Sequence, residues 1–193
     1  MSLDKLSIDI KEFLAKTSTK TFLLAARQFV GLLETKTINK EEFYSKAHNA
    51  LIDLYSAGYK LEPIKLKYSS EETDFNRDEI FDNKNVGKIS ELGAETIYWE
   101  IFDPIYSEKD GQPNASWAIE DKEATQGWLV DDFADIYRDL KIELIKIDNI
   151  GTDKAVEDAL WNLKWSFHHH WGNHCINALR YFHYLYYDGK QTL

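Results

Sequence analysis

The sequence predicts an all-α fold, a single helical-bundle-like domain of about six helices with two long loops. The chain has only 3 Pro and 9 Gly in 193 residues, a composition that favours long regular elements over tight turns. Apolar residues recur at helical spacing over most of its length. A chain of 193 residues is long enough to bury a substantial core, so the predicted domain spans residues 1–193.

Three helices are predicted in the N-terminal third. In the first, apolar residues recur at i, i+4, i+7 and i+8 from Leu6 onward, which is the spacing of one helix face. A polar Thr-Ser-Thr break separates it from the second helix, which is predicted at about 21–34. Asn39 is the predicted cap of the third helix, with Glu42 three residues later as in a capping box, and Gly58 marks its end.

Two long loops are predicted in the middle of the chain, on either side of one helix. The first loop covers about 62–87 and is largely polar, although alternation at 64–68 allows a short edge strand. A fourth helix is predicted at about 88–102, where an Asp-Pro pair ends it. The second loop covers about 105–126. Loops of this length in a compact domain are often functional.

The last two helices have the clearest pattern. The fifth is predicted at about 128–147, with Gly151 near its end. The sixth begins after the cap Thr152 and continues to about Tyr187, with a kink predicted at Gly172. Because only a short connection joins these two helices, we expect them to be central and antiparallel.

Composition and charge exclude several classes of function. Acidic residues outnumber basic ones by 33 to 23, and the resulting net charge of -10 disfavours binding to nucleic acids or anionic membranes. No apolar stretch approaches the length needed to span a membrane. The one cysteine, Cys175, cannot form an internal disulfide, which fits a reducing compartment. We therefore expect a cytoplasmic protein with no nucleic-acid partner and no membrane.

Several familiar catalytic motifs are missing from the sequence. Trp171 stands where the zincin helix has the glutamate that follows its first histidine, and no Glu-x-x-His occurs. A Gly-rich phosphate loop, a Gly-x-Ser-x-Gly elbow and a Cys-x-x-Cys motif are also absent. These absences argue against standard nucleotide-dependent, serine-hydrolase and thiol-redox chemistry.

The strongest candidate site begins with two histidines near the C-terminus. His170 and His174 lie at i and i+4, so on a helix they share one face and are candidate ligands for a divalent metal ion such as zinc. The neighbouring His168 and His169 point about 100° away from each other on a helix and cannot join the same chelate. A hydrogen-bonded pair of core histidines is the competing interpretation.

An acidic run on the fifth predicted helix supplies Asp132, Asp135 and Asp139 as further candidate metal ligands. For Asp135 the competing interpretation is a solvated face, with local pairing to Arg138 three residues later. Asp132 and Asp139 border the apolar arc of the helix, so each needs a hydrogen-bond donor. In an antiparallel pair, residues at equal distances from the connecting turn lie opposite each other. This favours a contact of Asp132 with one of the two histidines, and of Asp139 with the early part of the sixth helix.

We predict one polar network between the two central helices, whether or not a metal is present. It joins Asp132, Asp139 and His174, and Arg180 is its weakest member. Its further candidate members are Arg138 and Asn177. An inter-helix ion pair and a metal site therefore compete for the same residues.

Aromatic side chains cover more than half of the sixth predicted helix. A helix that is apolar nearly all round is normally central in its domain or lies between protomers. The alternative is an aromatic-lined ligand pocket, with Trp165 and Trp171 as its candidate residues. A small ligand, a protein partner and a second copy of the chain are the partners that this pattern allows.

Four segments give the chain a resemblance to a known family. They are ARQFVGLLE at 26–34, YWEIFDP at 98–104, LVDDFADIYRDL at 129–140 and HWGNHCINALR at 170–180. With these segments the chain resembles the uncharacterised bacterial proteins grouped as domain of unknown function 5063. The resemblance implies an intracellular helical domain and implies no activity.

Two functional hypotheses of different classes follow from the sequence. The first is a non-catalytic binding or protein-interaction domain, which we favour because the sequence contains no complete catalytic motif. The alternative is a metal-dependent hydrolase-like enzyme, in which histidines and aspartates between the two central helices hold an ion that activates water. Nothing in the sequence identifies a substrate.

Overall fold

The computed structural model describes residues 5–35, 38–68, 96–101, 108–109, 112–113 and 124–187. These ranges are mostly helical, which confirms the all-α prediction. The helices are α1 (Ile8–Ala15), α2 (Thr17–Glu34), α3 (Lys40–Lys60), α4 (Leu129–Ile145), α5 (Asp153–His169) and α6 (Trp171–Tyr187). The strands are β1 (Ile97–Glu100), β2 (Glu108–Lys109), β3 (Gln112–Pro113) and β4 (Thr125–Trp128).

The core lies where α2 and α3 pack against α4 and α6. Phe133 of α4 is fully buried, and its ring centroid lies 5.8 Å from that of Phe29, 6.0 Å from that of Phe43 and 6.2 Å from that of Phe182. These residues come from four different helices, so one aromatic cluster joins them. Cys175 of α6 is also fully buried, and burial raises the pKa of its thiol well above its usual range.

The predicted caps are present at two helices. The Asn39 side chain accepts a hydrogen bond from the backbone N–H of Glu42 at 2.9 Å, as in a capping box. At the start of α5, the Thr152 hydroxyl accepts from the backbone N–H of Ala155 at 3.3 Å. Before it, α4 passes into a π-helical turn at Lys146–Ile150, which ends at a left-handed glycine.

The predicted fourth helix is wrong over the part that the structure describes. Ile97–Glu100 is a β-strand that pairs antiparallel with β4, and Tyr98 lies opposite Gly127. Ile, Tyr and Trp favour strands, and burial alternates along the four residues. A Cβ at Gly127 would lie 2.4 Å from the Tyr98 ring, so this pairing depends on glycine. Residues 88–95 and 102 of the prediction lie outside the described residues.

The two predicted loops also need correction. Strands β2 and β3 pair with each other inside the predicted loop at 105–126, and β4 begins within it. The predicted edge strand at 64–68 is not formed. Instead, the backbone N–H groups of Lys67 and Tyr68 donate to the buried carboxylate of Glu157 at 2.8 and 2.7 Å. The rest of the predicted loop at 62–87, from residue 69 onward, lies outside the described residues.

The long sixth helix of the prediction is two helices. His170 has φ -147° and ψ -89°, so the helix breaks there and α6 begins at the next residue. The prediction placed a kink at Gly172. A Cβ at Gly172 would lie 2.0 Å from the carbonyl oxygen of Phe167, so close packing at the break requires this glycine. Among the helices of the described ranges, none has the length and apolar character needed to cross a membrane.

Candidate functional site

Helix α4 and the junction between α5 and α6 form two aspartate–histidine pairs. The Nδ1 atom of His174 lies 2.9 Å from Oδ1 of Asp132. Asp139 lies about two turns after Asp132 on α4. Its Oδ2 atom is 2.8 Å from Nδ1 of His170. The expected approach of Asp132 to one of the two histidines is therefore present, and it follows from the antiparallel arrangement of α4 with α5 and α6.

Asp132 is held from both sides. It is 2% exposed, and its second oxygen, Oδ2, accepts a hydrogen bond of 2.6 Å from the Tyr98 hydroxyl of β1. Burial raises the pKa of Asp132, and the hydrogen bonds from His174 and Tyr98 offset this only in part. Burial and the neighbouring Asp132 carboxylate raise the pKa of Tyr98, so the hydroxyl remains a donor at physiological pH.

The charge of His174 depends on two opposing effects. Burial lowers the pKa of its imidazole, whereas the hydrogen bond to Asp132 and the negative charges of Asp132 and Asp135 raise it. The raising effects are the larger, so the pKa of His174 lies above its ordinary value. The pKa values of Asp132 and His174 therefore both lie above their ordinary values.

Asp135 lies on the other side of the His174 ring. Its Oδ2 atom is 3.5 Å from Nε2 of His174, and its Oδ1 atom pairs with Arg138. Asp135, His170 and His174 each offer one ligand atom, and these three atoms lie within 4.8 Å of one another. In a tetrahedral zinc site the ligand atoms are about 3.4 Å apart, given bond lengths of about 2.0–2.1 Å. Movements of about 1 Å in the side chains would therefore gather the three around one ion.

The structure divides the predicted aspartate ligands into two kinds. Of the three aspartates, only Asp135 belongs with His170 and His174 to the set of side chains whose potential ligand atoms lie within 4.8 Å of one another. Asp132 and Asp139 instead contact Nδ1 of the two rings. Carboxylates in that position orient a metal-binding imidazole and leave its Nε2 atom available for an ion.

The three predicted network members lie at the edge of this site. Arg138 pairs with Asp135 on the same helix, as the i, i+3 spacing indicates. Asn177 donates to Glu100 of β1 at 2.7 Å. Arg180 donates to the carbonyl oxygen of Trp99 at 3.3 Å, so the prediction that it pairs with the aspartates is wrong. Arg180 lies too far along α6 and meets the strand instead.

The two candidate aromatic residues have different environments. Trp171 is fully buried against Phe22 and Phe167, and its indole N–H donates to a backbone carbonyl, so it is a core residue and cannot line a surface pocket. Trp165 is 49% exposed. It lines a cleft of about 280 Å³ between α4 and α5. The cleft is lined by Asp139, Ile142, Glu143, Asn162, Trp165, Ser166, His169 and His170.

Sequence reasoning missed two residues that support the site. Ser166 donates to Oδ2 of Asp139 at 3.0 Å, beside the imidazole of His170. The spacing of Ser166 and His170 at i and i+4 was a usable signal for a shared partner. Tyr98 was missed because its segment was predicted as a helix, although the alternation along β1 points Tyr98 and Glu100 toward the protein.

Comparisons with known proteins place the chain in a family. The chain resembles a crystal structure of protein BF1032 from Bacteroides fragilis with a TM-score of 0.64 and 19% sequence identity. The alignment covers 89% of this chain and 93% of that one, and at this identity it shows a shared fold. No curated protein matches the chain. The family described as "Domain of unknown function (DUF5063)" matches residues 14–188. The chain therefore belongs to the DUF5063 family.

Proposed function

We propose that this protein binds one divalent transition-metal ion, with zinc as the best fit, through Asp135, His170 and His174. The observation that carries the proposal is the arrangement around the two imidazoles. Each has its Nδ1 atom against a carboxylate, and Nε2 of His174 already lies 3.5 Å from Asp135. Two imidazole nitrogens and one carboxylate oxygen form a ligand set that suits zinc.

Electrostatics and exposure support the same proposal. Asp132, Asp135 and Asp139 bring three carboxylates to the two histidines, so a divalent cation would offset a local excess of negative charge. The side chains of His170 and His174 are 44% and 22% exposed, so an ion has access from solvent. Three protein ligands leave one coordination position for water or another molecule.

Zinc binding is expected to depend on each of the three ligands. His174→Ala and Asp135→Asn should each weaken zinc binding by more than about 100-fold, because loss of an outer carboxylate alone typically costs about 10- to 100-fold. Asp139→Asn should therefore fall in that smaller range. Isothermal titration calorimetry with zinc, after removal of metal with a chelator, measures these affinities.

His168→Ala is the matched control, since His168 is exposed and lies outside the group that offers ligand atoms. It should bind zinc as the unchanged protein does. Equal zinc affinity in His174→Ala, Asp135→Asn and His168→Ala would contradict the proposed site. Thermal unfolding with and without zinc gives a second readout, because an ion that binds only the folded state raises the melting temperature.

A metal-dependent hydrolase is the second candidate function, and the open coordination position favours it. An ion held by three protein ligands can supply a nucleophilic water near neutral pH. The cleft beside His170 offers space for a substrate. Zinc-loaded protein is then expected to hydrolyse p-nitrophenyl acetate faster than the Asp135→Asn variant does. Equal rates in the two proteins, together with tight zinc binding, would leave a binding function alone.

A further inference from the structure

We propose that the cleft between α4 and α5 binds a small organic cation, a primary amine carried on an apolar or aromatic body. The cleft shares Asp139, Ser166 and His170 with the proposed metal site and its supporting contacts, whereas Trp165, Asn162 and Glu143 belong to the cleft alone. Its electrostatics, its acceptor atoms and its aromatic wall each point to this class of ligand. The proposal concerns the metal-free protein, because a divalent ion beside His170 would offset part of the negative charge of the cleft, and it does not depend on the metal site.

The first argument concerns charge. Glu143 and Asp139 line the cleft, and Asp158 lies directly behind it in contact with Asn162. The Nζ atom of Lys146 lies between two of these carboxylates, 2.8 Å from Glu143 and 2.8 Å from Asp158. Glu143 and Asp139 therefore place two carboxylates on the α4 side of the cleft. A ligand with a positive charge would be attracted there, and an anion would be repelled.

The second argument concerns hydrogen-bond acceptors. The side-chain hydrogen bonds that Ser166 and His170 make to Asp139 both reach its Oδ2 atom, which leaves Oδ1 to accept from a ligand. The Asn162 amide donates through Nδ2 to Asp158, so its Oδ1 atom is a second acceptor. An ammonium group has three donors and no acceptor, which matches a lining of this kind.

The third argument concerns the wall on α5. The Trp165 ring stacks on Trp161 with centroids 6.0 Å apart and an angle of 14° between the planes, and it lies 4.7 Å from the His169 ring on the next turn. These neighbours hold the indole in place, although Trp165 is 49% exposed. With Ile142 across the cleft, it forms a preformed apolar surface for the body of a ligand. A volume of about 280 Å³ fits a molecule of about a dozen non-hydrogen atoms or fewer.

Three probes of similar shape and different charge test the proposal. They are 2-phenylethylamine, which is a cation, 2-phenylethanol, which is neutral, and phenylacetate, which is an anion. Each is titrated into the full chain, metal-free and zinc-loaded, while ¹H–¹⁵N spectra record shifts of the indole N–H signals. We expect the amine to bind at least about tenfold more tightly than the alcohol, as one charge-assisted hydrogen bond allows, and the anion to bind most weakly.

Trp165→Ala and Trp99→Ala are the matched variants, because both residues are exposed tryptophans and only Trp165 lines the cleft. Trp165→Ala should weaken amine binding by about tenfold, whereas Trp99→Ala should leave it unchanged. Tightest binding of phenylacetate to metal-free protein, equal binding of all three probes, or equal loss in both variants would overturn the proposal. An amine preference in a protein that fails to bind zinc would support the cleft and refute the metal site separately.

Discussion

Replacement of Gly172 by alanine is expected to lower the free energy of unfolding by about 3 kcal/mol, toward the upper part of the range for overpacked sites. A Cβ at this position would lie 2.0 Å from the backbone oxygen of Phe167 and 3.1 Å from its ring. A backbone oxygen cannot rotate away as the end of a side chain can, so the junction between α5 and α6 must shift. Urea denaturation followed by circular dichroism measures the loss.

Gly31→Ala is the control, because it makes the same chemical change within a helix that has space. Gly31 lies in α2, and apart from its chain neighbours and the nearby backbone of that helix no atom lies within 4 Å of the position that its Cβ would occupy. Alanine is the better helix former, so this variant should gain about 0.5–1 kcal/mol. Equal stability of the two variants would contradict the close packing at the junction. Because His170 lies in that junction, Gly172→Ala should also weaken zinc binding, whereas Gly31→Ala should leave it unchanged.

Lys146→Met is expected to cost about 3–5 kcal/mol, which is typical when one partner of a buried ion pair is removed. The Nζ atom of Lys146 lies 2.8 Å from Asp158 and 2.8 Å from Glu143, and the three side chains are at most 10% exposed. Methionine fills most of the space of the lysine stem but leaves two buried carboxylates without their shared cation. The change in free energy of unfolding by urea at neutral pH measures the effect.

Two further variants separate charge from packing in this cluster. Lys141→Met removes the same charge from a half-exposed pair with Glu34, and such pairs contribute at most about 1 kcal/mol. Adding Glu143→Gln and Asp158→Asn to Lys146→Met should recover much of the lost stability, because the two carboxylates that lost their shared cation are then replaced by neutral amides. A loss in Lys146→Met no larger than that in Lys141→Met would show that the buried cluster carries no net stabilisation.

Local signals in the sequence were sufficient for most helices and for one contact of the site. Asn39 and Thr152 cap α3 and α5, because cap preferences depend on a few neighbouring residues. The contact of Asp132 with His174 could be predicted because an antiparallel pair with a short turn fixes which residues lie opposite each other. That argument places side chains to within about one turn, which is 5.4 Å.

Features that depend on distant parts of the chain could not be predicted in this way. Strand β1 has its partner about 30 residues later, and four residues of strand leave too short a pattern to distinguish from a helix. Because the strand was not predicted, the hydrogen bond from Tyr98 to Asp132 was not predicted either. Gly172 indicated a kink, but the break lies two residues earlier, at His170, where neither a proline nor a cap residue marks it.

The complete burial of Cys175 gives this protein an internal chemical reporter. A thiol reacts as its thiolate, and burial both covers the sulfur and raises its pKa, so the folded chain protects it from alkylating reagents and oxidants. Cys175 lies one residue after His174, in the first half of α6, the helix that carries one side of the proposed metal site. The rate at which an alkylating reagent labels this thiol therefore measures how often α6 leaves the core, on native protein and without denaturant.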